Sequence, residues 1–395
     1  MLHSFLRLGS VTLLLGLALA ACQSSEKTAT TTQDSTTAST MSASITKVAF
    51  GTLNNQPVDL YTLTNHQGMV VKITNYGGII TEIHVPDKEG KLGDIVLGFD
   101  SLAGYRQPNV PYFGALIGRY GNRIAKGQFN LEGKTYKLPV NNGPNSLHGG
   151  TEGFDKKVWT AEEVKTDSTV GLKLTLVSPD GDQGYPGTLN ATVTYTLSDN
   201  NALRLDYQAT TDKPTVVNLT NHTYFNLTGG TSDILGHEVQ LKASRIVPVG
   251  ADLIPTGKLQ DVKGTPFDFT TATAVGQRIN DTKDEQIKNG GGYDHCWVFD
   301  EAGTGLKSQG MVYEPTTGRT IELLTTEPAV QFYSGNFLDG KLTGKNNVNY
   351  KKRSGLCLET EHYPDSPNQA TFPSTVLKPG QTYTSTTEYR FSVRK

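Results

Sequence analysis

Thr192-Val193-Thr194-Tyr195-Thr196-Leu197-Ser198-Asp199-Asn200-Asn201-Ala202-Leu203-Arg204-Leu205-Asp206-Tyr207 alternates polar and apolar residues on both sides of a short polar turn. Side chains alternate across a strand with period two, so Val193, Tyr195 and Leu197 share one face, as do Leu203, Leu205 and Tyr207. Ser198-Asp199-Asn200-Asn201 supplies turn chemistry, and the whole reads as an antiparallel hairpin with one buried face. Leu172, Leu174 and Leu176, alternating with Lys173 and Thr175, add a further strand of the same kind. Comparable runs occur at Val70–Ile73, Ile79–Val85, Glu238–Leu241, Thr320–Leu324, Ala329–Tyr333 and Tyr389–Val393. No stretch of about twelve residues carries apolar positions at helical spacing. Many short strands separated by Gly, Asn, Asp and Pro predict an all-β protein, a large antiparallel β-sandwich. No composition break follows residue 45, so residues 45–395 are expected to form one domain.

The counts narrow the function classes. The 395 residues carry 36 Lys+Arg against 38 Asp+Glu, a formal net charge of −2, which offers no basic stripe for nucleic acid and no polybasic membrane patch. Three cysteines are too few for a disulfide scaffold. The N-terminus is different in kind. Arg7 precedes an apolar run, Val11 to Ala21, too short to span a bilayer and suited to the apolar region of a signal peptide. The run ends in Leu19-Ala20-Ala21-Cys22, which resembles a bacterial lipoprotein cleavage box and implies lipidation of Cys22; an ordinary signal peptide is the alternative. Gln23 and Ser24 follow, with no Asp to suggest inner-membrane retention. The expectation is therefore an exported protein of a Gram-negative bacterium, either an outer-membrane lipoprotein or periplasmic. Residues 23–44 contain 13 Ser or Thr in 22 positions and almost nothing apolar, the composition of a flexible tether.

Six segments combine His, Asn, Arg and acids with aromatics: NRIAKGQF (122–129), NSLHGG (145–150), NLTNHTYFNL (218–227), GYDH (292–295), VQFYSGNFLDG (330–340) and LETEHYPDSPN (358–368). In this order they resemble the aldose 1-epimerases, also called galactose mutarotases, and the resemblance runs from about Val48 to the C-terminus. It implies the galactose mutarotase-like supersandwich, interconversion of the α and β anomers of free aldoses, and no required cofactor. Bound calcium is left open.

Mutarotation opens a hemiacetal to the aldehyde and recloses it on the other face. One group must take the anomeric hydroxyl proton while another protonates the ring oxygen. A carboxylate and an imidazole suffice, and positioned acid–base catalysis supplies a factor of about 10²–10⁴. Glu359 lies in an alternating segment opposite in sense to Leu356 and Leu358, and the resemblance makes it the base; Glu361, on the same face, is the alternative. His222 matches the family histidine that protonates the ring oxygen, with Asn218, Asn221 and Asn226 expected to fix its tautomer. His148, before two glycines that let the backbone approach a ligand, matches the histidine that assists charge stabilisation. By resemblance Asn122, Arg123, Asp294 and Gln331 hold the sugar, with Thr223 and Tyr224 of the His222 motif also assigned to substrate. Tyr224 and Trp297 are candidate apolar platforms for a pyranose. Arg119 is assigned to structure, and Cys296 and Cys357 are expected to be buried thiols rather than a disulfide.

Rival readings are weaker. A glycoside hydrolase would pair Asp294 with Glu359 but has no need of two such histidines. A carbohydrate-binding module has no need of a buried Glu/His pair. A sugar-phosphate epimerase wants a basic cluster, and the one compact group here, Arg119, Arg123 and Lys126, reads better as the neutral-sugar motif. No metal-ligand spacing such as His-x-x-x-His occurs, so no metal site is assigned. The expected partner is a small aldose, with membrane contact only through the lipid anchor, and the protein is expected to be a monomer or weak dimer.

Overall fold

In the computed structural model, residues 42–303 and 305–395 are described. The leader, Cys22 and positions 23–41 of the tether lie outside them. The opening hairpin forms as its pattern dictates: Leu189–Ser198 pairs antiparallel with Ala202–Thr211, Leu197 opposite Leu203, and Thr169–Ser178 joins on the other side with Leu172 opposite Tyr195. The inward residues of these strands, among them Leu172, Leu174, Val193, Tyr195, Leu197, Leu203 and Leu205, are fully buried in one cluster. Each such side chain contributes about 1.5–3 kcal/mol by leaving water.

The hairpin belongs to a nine-stranded antiparallel sheet that continues through Tyr383–Val393, Arg319–Thr325, Lys307–Tyr313, Glu238–Leu241 and Thr273–Ala274. A five-stranded meander, Ser44–Leu53 to Leu92–Asp94, flanks it. A six-stranded sheet runs in the order Tyr224–Phe225, Leu356–Glu361, Ala329–Tyr333, Asp294–Val298, Arg245–Val247 and Gln260–Asp261. Among the described residues the α-helices are two short pieces, Leu102–Tyr105 and Glu285–Gly290. This is the sandwich that the alternation predicts.

Three strands of the six-stranded sheet, Asp294–Val298, Ala329–Tyr333 and Leu356–Glu361, are buried at every position. Both of their faces are therefore covered. Trp297, Val330, Phe332, Leu356 and Leu358 face the main core. On the opposite face the register places Gln331 beside Glu359 and Cys296, and Tyr333 beside Cys357 and Asp294. Loops rather than a second sheet cover that face. Two two-residue ladders pin these loops, Arg123–Ile124 with Ser146–Leu147 and Leu116–Ile117 with Thr220–Asn221.

Candidate active site

Glu359 projects from the strand Leu356–Glu361 onto the loop-covered face, as alternation requires, and is 2% exposed. His222 sits between the short strands Thr220–Asn221 and Tyr224–Phe225, with its backbone N–H donating to Ala115 O at 2.9 Å. That anchor points the ring at the sheet: Nε2 lies 3.5 Å from Glu359 Oε1. The other ring nitrogen, Nδ1, meets Cys357 Sγ at 3.5 Å. Burial holds the Cys357 thiol well above its ordinary range, so a protonated thiol faces Nδ1.

His148 enters from the opposing loop with a left-handed backbone (φ 50°), as does Asn122 (φ 63°). These conformations, unfavourable for side-chain-bearing residues, let the two exchange bonds. The Asn122 N–H donates to His148 Nδ1 at 3.1 Å, and the His148 N–H donates to Asn122 O at 3.1 Å. With Nδ1 accepting, the proton of neutral His148 is on Nε2. The two imidazoles meet edge to face with centroids 5.1 Å apart. Tyr112, also left-handed (φ 60°), packs its ring 4.6 Å from His148 and 5.7 Å from His222.

The polar side chains around them interlock. Gln331 Nε2 donates to Asp294 Oδ1 at 2.7 Å, and the Arg123 guanidinium lies 3.7 Å from Asp294 Oδ2. Asn122 Nδ2 donates to Glu361 Oε1 at 2.9 Å. Glu359 Oε2, Glu361 Oε2 and Gln331 Oε1 are buried without a protein hydrogen-bond partner. Burial, then the charges of Glu361 and Asp294, push Glu359 well above the carboxylate range, with Arg123 opposing. Burial drives His222 down to about 3 and His148 well below the usual imidazole value. Asp294 is raised by burial against the pull of Arg123 and Gln331.

A carboxylate and two imidazoles with opposed proton affinities lie together among amide, guanidinium and carboxylate groups, an arrangement that can move protons. The family model of aldose 1-epimerase matches residues 59–390. The chain belongs to the aldose 1-epimerase family. It is 46% identical over 356 residues to the galactose mutarotase of Bos taurus, covering 89% of this chain and 99% of that one. The aldose 1-epimerase of Escherichia coli K12 is 40% identical over 341 residues, 86% and 96% of the two chains. Among solved structures, the galactose 1-epimerase from Lactobacillus acidophilus superposes with a TM-score of 0.79 at 27% identity, covering 90% of this chain and all of that one.

In this aldose 1-epimerase the six motifs meet at one place, although 239 residues separate hydrogen-bonded partners such as Asn122 and Glu361. Several expectations are corrected. Asn218, Asn221 and Asn226 make their side-chain hydrogen bonds elsewhere than to the His222 ring. Asn218 bonds Gly121 and His362, Asn221 bonds Gly114 and Thr223, and Asn226 bonds Ser232, Ser354 and Thr228, all fastening loops. The side-chain contact to His222 Nδ1 comes from Cys357 Sγ instead. Trp297 is a core residue with its indole N–H donating to Phe267 O at 3.0 Å, because its register puts it on the apolar face of the sheet. Tyr224 is buried with its ring 5.0 Å from that of His222, and the Thr223 hydroxyl donates to Asn221 Oδ1 at 2.5 Å. Cys296 and Cys357 are free buried thiols. Arg119 is structural, its guanidinium bonding Ser178, Pro179, Pro186 and Gly187 in one loop. Tyr112 was missed, since a left-handed tyrosine carries no periodic signal.

Among the described residues two clusters present metal-ligating atoms within 4.8 Å of one another: His148, His222 and Glu359 in the site, and the half-buried Glu82, His84 and Asp94. Both include imidazole nitrogen, whereas calcium favours an all-oxygen shell. Lys72 and Lys345 already pair with Glu82 and Asp94 in the second cluster.

Proposed function

We propose that Glu359 and His222 shuttle one proton between them to interconvert the α and β anomers of free aldoses, the isomerase reaction of the family. In ring opening the Glu359 carboxylate takes the proton of the anomeric hydroxyl while protonated His222 gives one to the ring oxygen. The C1–O5 bond breaks as the aldehyde forms. Glu359 is then protonated and His222 neutral. Rotation about C1–C2 presents the other face. His222 then takes the proton of the C5 hydroxyl while Glu359 returns its own to the carbonyl oxygen. The His148 Nε2–H steadies negative charge on oxygen, and Asn122, Arg123, Asp294 and Gln331 hold the ring. No cofactor enters these steps, and the protein acts as a monomer or weak dimer.

The observation carrying this reading is the 3.5 Å approach of His222 Nε2 to Glu359 Oε1 in a buried site. Polarimetry on freshly dissolved α-D-glucose and α-D-galactose tests it. Wild type accelerates the approach to equilibrium rotation and Glu359→Gln does not; an unaccelerated wild type sinks the reading. The lipoprotein-like Leu19-Ala20-Ala21-Cys22 supports export and lipid anchoring at Cys22 in the outer membrane, with the catalytic domain in the periplasm. Labelling with a radioactive fatty acid, lost in Cys22→Ala, checks that.

A further inference from the structure

Tyr112 takes no part in the steps above, yet its ring rests on both imidazoles that do. Its centroid lies 4.6 Å from that of His148 and 5.7 Å from that of His222, and the imidazoles themselves stand 5.1 Å apart. The three rings close a triangle. Among the described residues His148 has two aromatic neighbours, Tyr112 and His222, and its loop is otherwise held through the backbone exchange with Asn122.

The backbone fixes the Tyr112 ring in place. Tyr112 O accepts from the Ala115 N–H at 3.0 Å, which closes a turn over Phe113 and Gly114. That turn grips His222 from both sides: the Gly114 N–H donates to His222 O at 3.0 Å, and the His222 N–H donates to Ala115 O at 2.9 Å. Phe113 is fully buried and packs on Tyr224 with centroids 4.7 Å apart. Gly114 is left-handed (φ 69°), and a Cβ there would meet Ile80 O at 2.1 Å, so the turn is pressed against the sheet. The left-handed backbone of Tyr112 itself is one that a tyrosine keeps where its surroundings enforce it. Turn and ring thus form one rigid piece with His222, and the ring is the part that reaches His148. Tyr112 also lines a surface groove whose walls include neither imidazole, and both histidines are only 5% exposed. The ring therefore stands between them and water.

We propose that Tyr112 is a positioning residue of the acid–base site: its ring fixes the angle between His148 and His222 and shields both from water. The assignment rests on the proposed aldose chemistry. Burial is the leading cause of the low proton affinity of both imidazoles, with His222 at about 3. Tyr112, its hydroxyl kept protonated by burial, adds no charge of its own. The other groups facing the two rings are Glu359, Cys357, Arg123, Tyr224 and Tyr333, all of which a change at Tyr112 leaves in the protein.

The test measures kcat, KM and the pH–rate profile by polarimetry on α-D-glucose for wild type and for Tyr112→Phe, Tyr112→Leu and Tyr112→Ala. Tyr112→Phe keeps the ring and is expected within about threefold of wild type, whereas Tyr112→Ala lowers kcat about thirtyfold with KM little changed. In Tyr112→Ala, water reaches the imidazoles and the fall in rate at acid pH moves up toward the ordinary histidine value of about 6.5. Tyr112→Leu fills the space without a flat ring, so about tenfold in kcat is lost while the acid side stays as in wild type. It also keeps the test open if Tyr112→Ala fails to fold. An alanine variant with the wild-type acid side, a phenylalanine variant as slow as alanine, or a folded leucine variant at the wild-type rate overturns the proposal. If wild type does not accelerate mutarotation, the acid–base reading fails independently. NMR titration of the His148 and His222 ring protons without sugar then decides: midpoints that rise in Tyr112→Ala but not in Tyr112→Phe support the proposal, and midpoints equal in all three proteins overturn it.

Discussion

His222 Nε2 stands 3.5 Å from Glu359 Oε1, and burial drives their proton affinities apart in opposite directions, Glu359 well up and His222 down to about 3. The pair therefore favours the proton on Glu359, and in the proposed cycle ring opening requires that proton first to pass to His222 across the 3.5 Å contact. Both halves of the reaction need the pair singly protonated. The sign follows: kcat/KM stays flat down toward the about 3 of His222 while the protein remains folded, and falls as pH rises through the raised value of Glu359. A polarimetric pH–rate profile that instead falls with decreasing pH near 6.5 would show a His222 of ordinary affinity and would sink this arrangement.

Glu359 and Glu361 share a face, but only Glu359 reaches a histidine; Glu361 Oε1 accepts from Asn122 Nδ2 instead. Replacing Glu359 by Gln is expected to lower kcat by about 10³ with KM little changed, since the group acts on the transferring proton. Glu361→Gln keeps the shape and disturbs only the orientation of Asn122, so about tenfold is expected, mostly in KM. Single-turnover and steady-state rotation measurements separate the two; equal losses in kcat would assign the base wrongly.

The fold was legible because alternation is a local signal. Leu172 to Tyr207 states its own buried face, and the register follows from the turn at Ser198–Asn201. The same logic put Glu359 opposite Leu356 and Leu358. It did not show that the strands around Glu359 are covered on both faces, because loops supply that cover and loops have no period. For the same reason Asn218, Asn221 and Asn226, adjacent to His222 in sequence, were expected to orient it, whereas their amides tie loop backbone. The orienting atom, Cys357 Sγ, lies on the neighbouring strand across the Tyr224–Cys357 pair. The signal was present in the shared face of Cys357 and Glu359, two residues apart. Tyr112 had none, as a positive φ at tyrosine follows from the packed surroundings and not from the residue.

Cys357 can be tested directly as a positioning residue. Its Sγ lies 3.5 Å from His222 Nδ1, and a thiol that donates there would keep the ring proton on Nε2. Cys357→Val fills the space but removes the donor, and a loss of about tenfold in kcat is expected, the worth of one hydrogen bond of about 1–1.5 kcal/mol. Cys357→Ser restores a donor and recovers most of the rate. If Val and Ser behave alike while both proteins stay folded, the contact is packing alone.

A second imidazole–carboxylate pair outside the acid–base step separates stability from catalysis. His362 Nδ1 lies 2.6 Å from Glu327 Oε2, and Tyr383 donates to Glu327 Oε1 at 3.2 Å. Burial opposes the charge on His362, but the Glu327 carboxylate overcomes it and raises His362 above 6.5. Burial likewise opposes ionised Glu327, and the charge and hydrogen bond of His362 hold it below 4.5. A raised histidine contributes stability that is complete below 6.5 and is lost as pH rises through its folded value. A lowered carboxylate contributes stability that is present above 4.5 and is lost as pH falls through its folded value. The pair is therefore fully effective between these ordinary values, near pH 5.5. His362→Ala, which leaves Glu327 buried without its cation, is expected to cost about 3 kcal/mol there. The cost shrinks toward pH 9, as the wild-type histidine loses its proton. Urea unfolding at pH 5.5 and pH 9 measures the difference, and a penalty independent of pH would mean that His362 contributes by packing and not by charge.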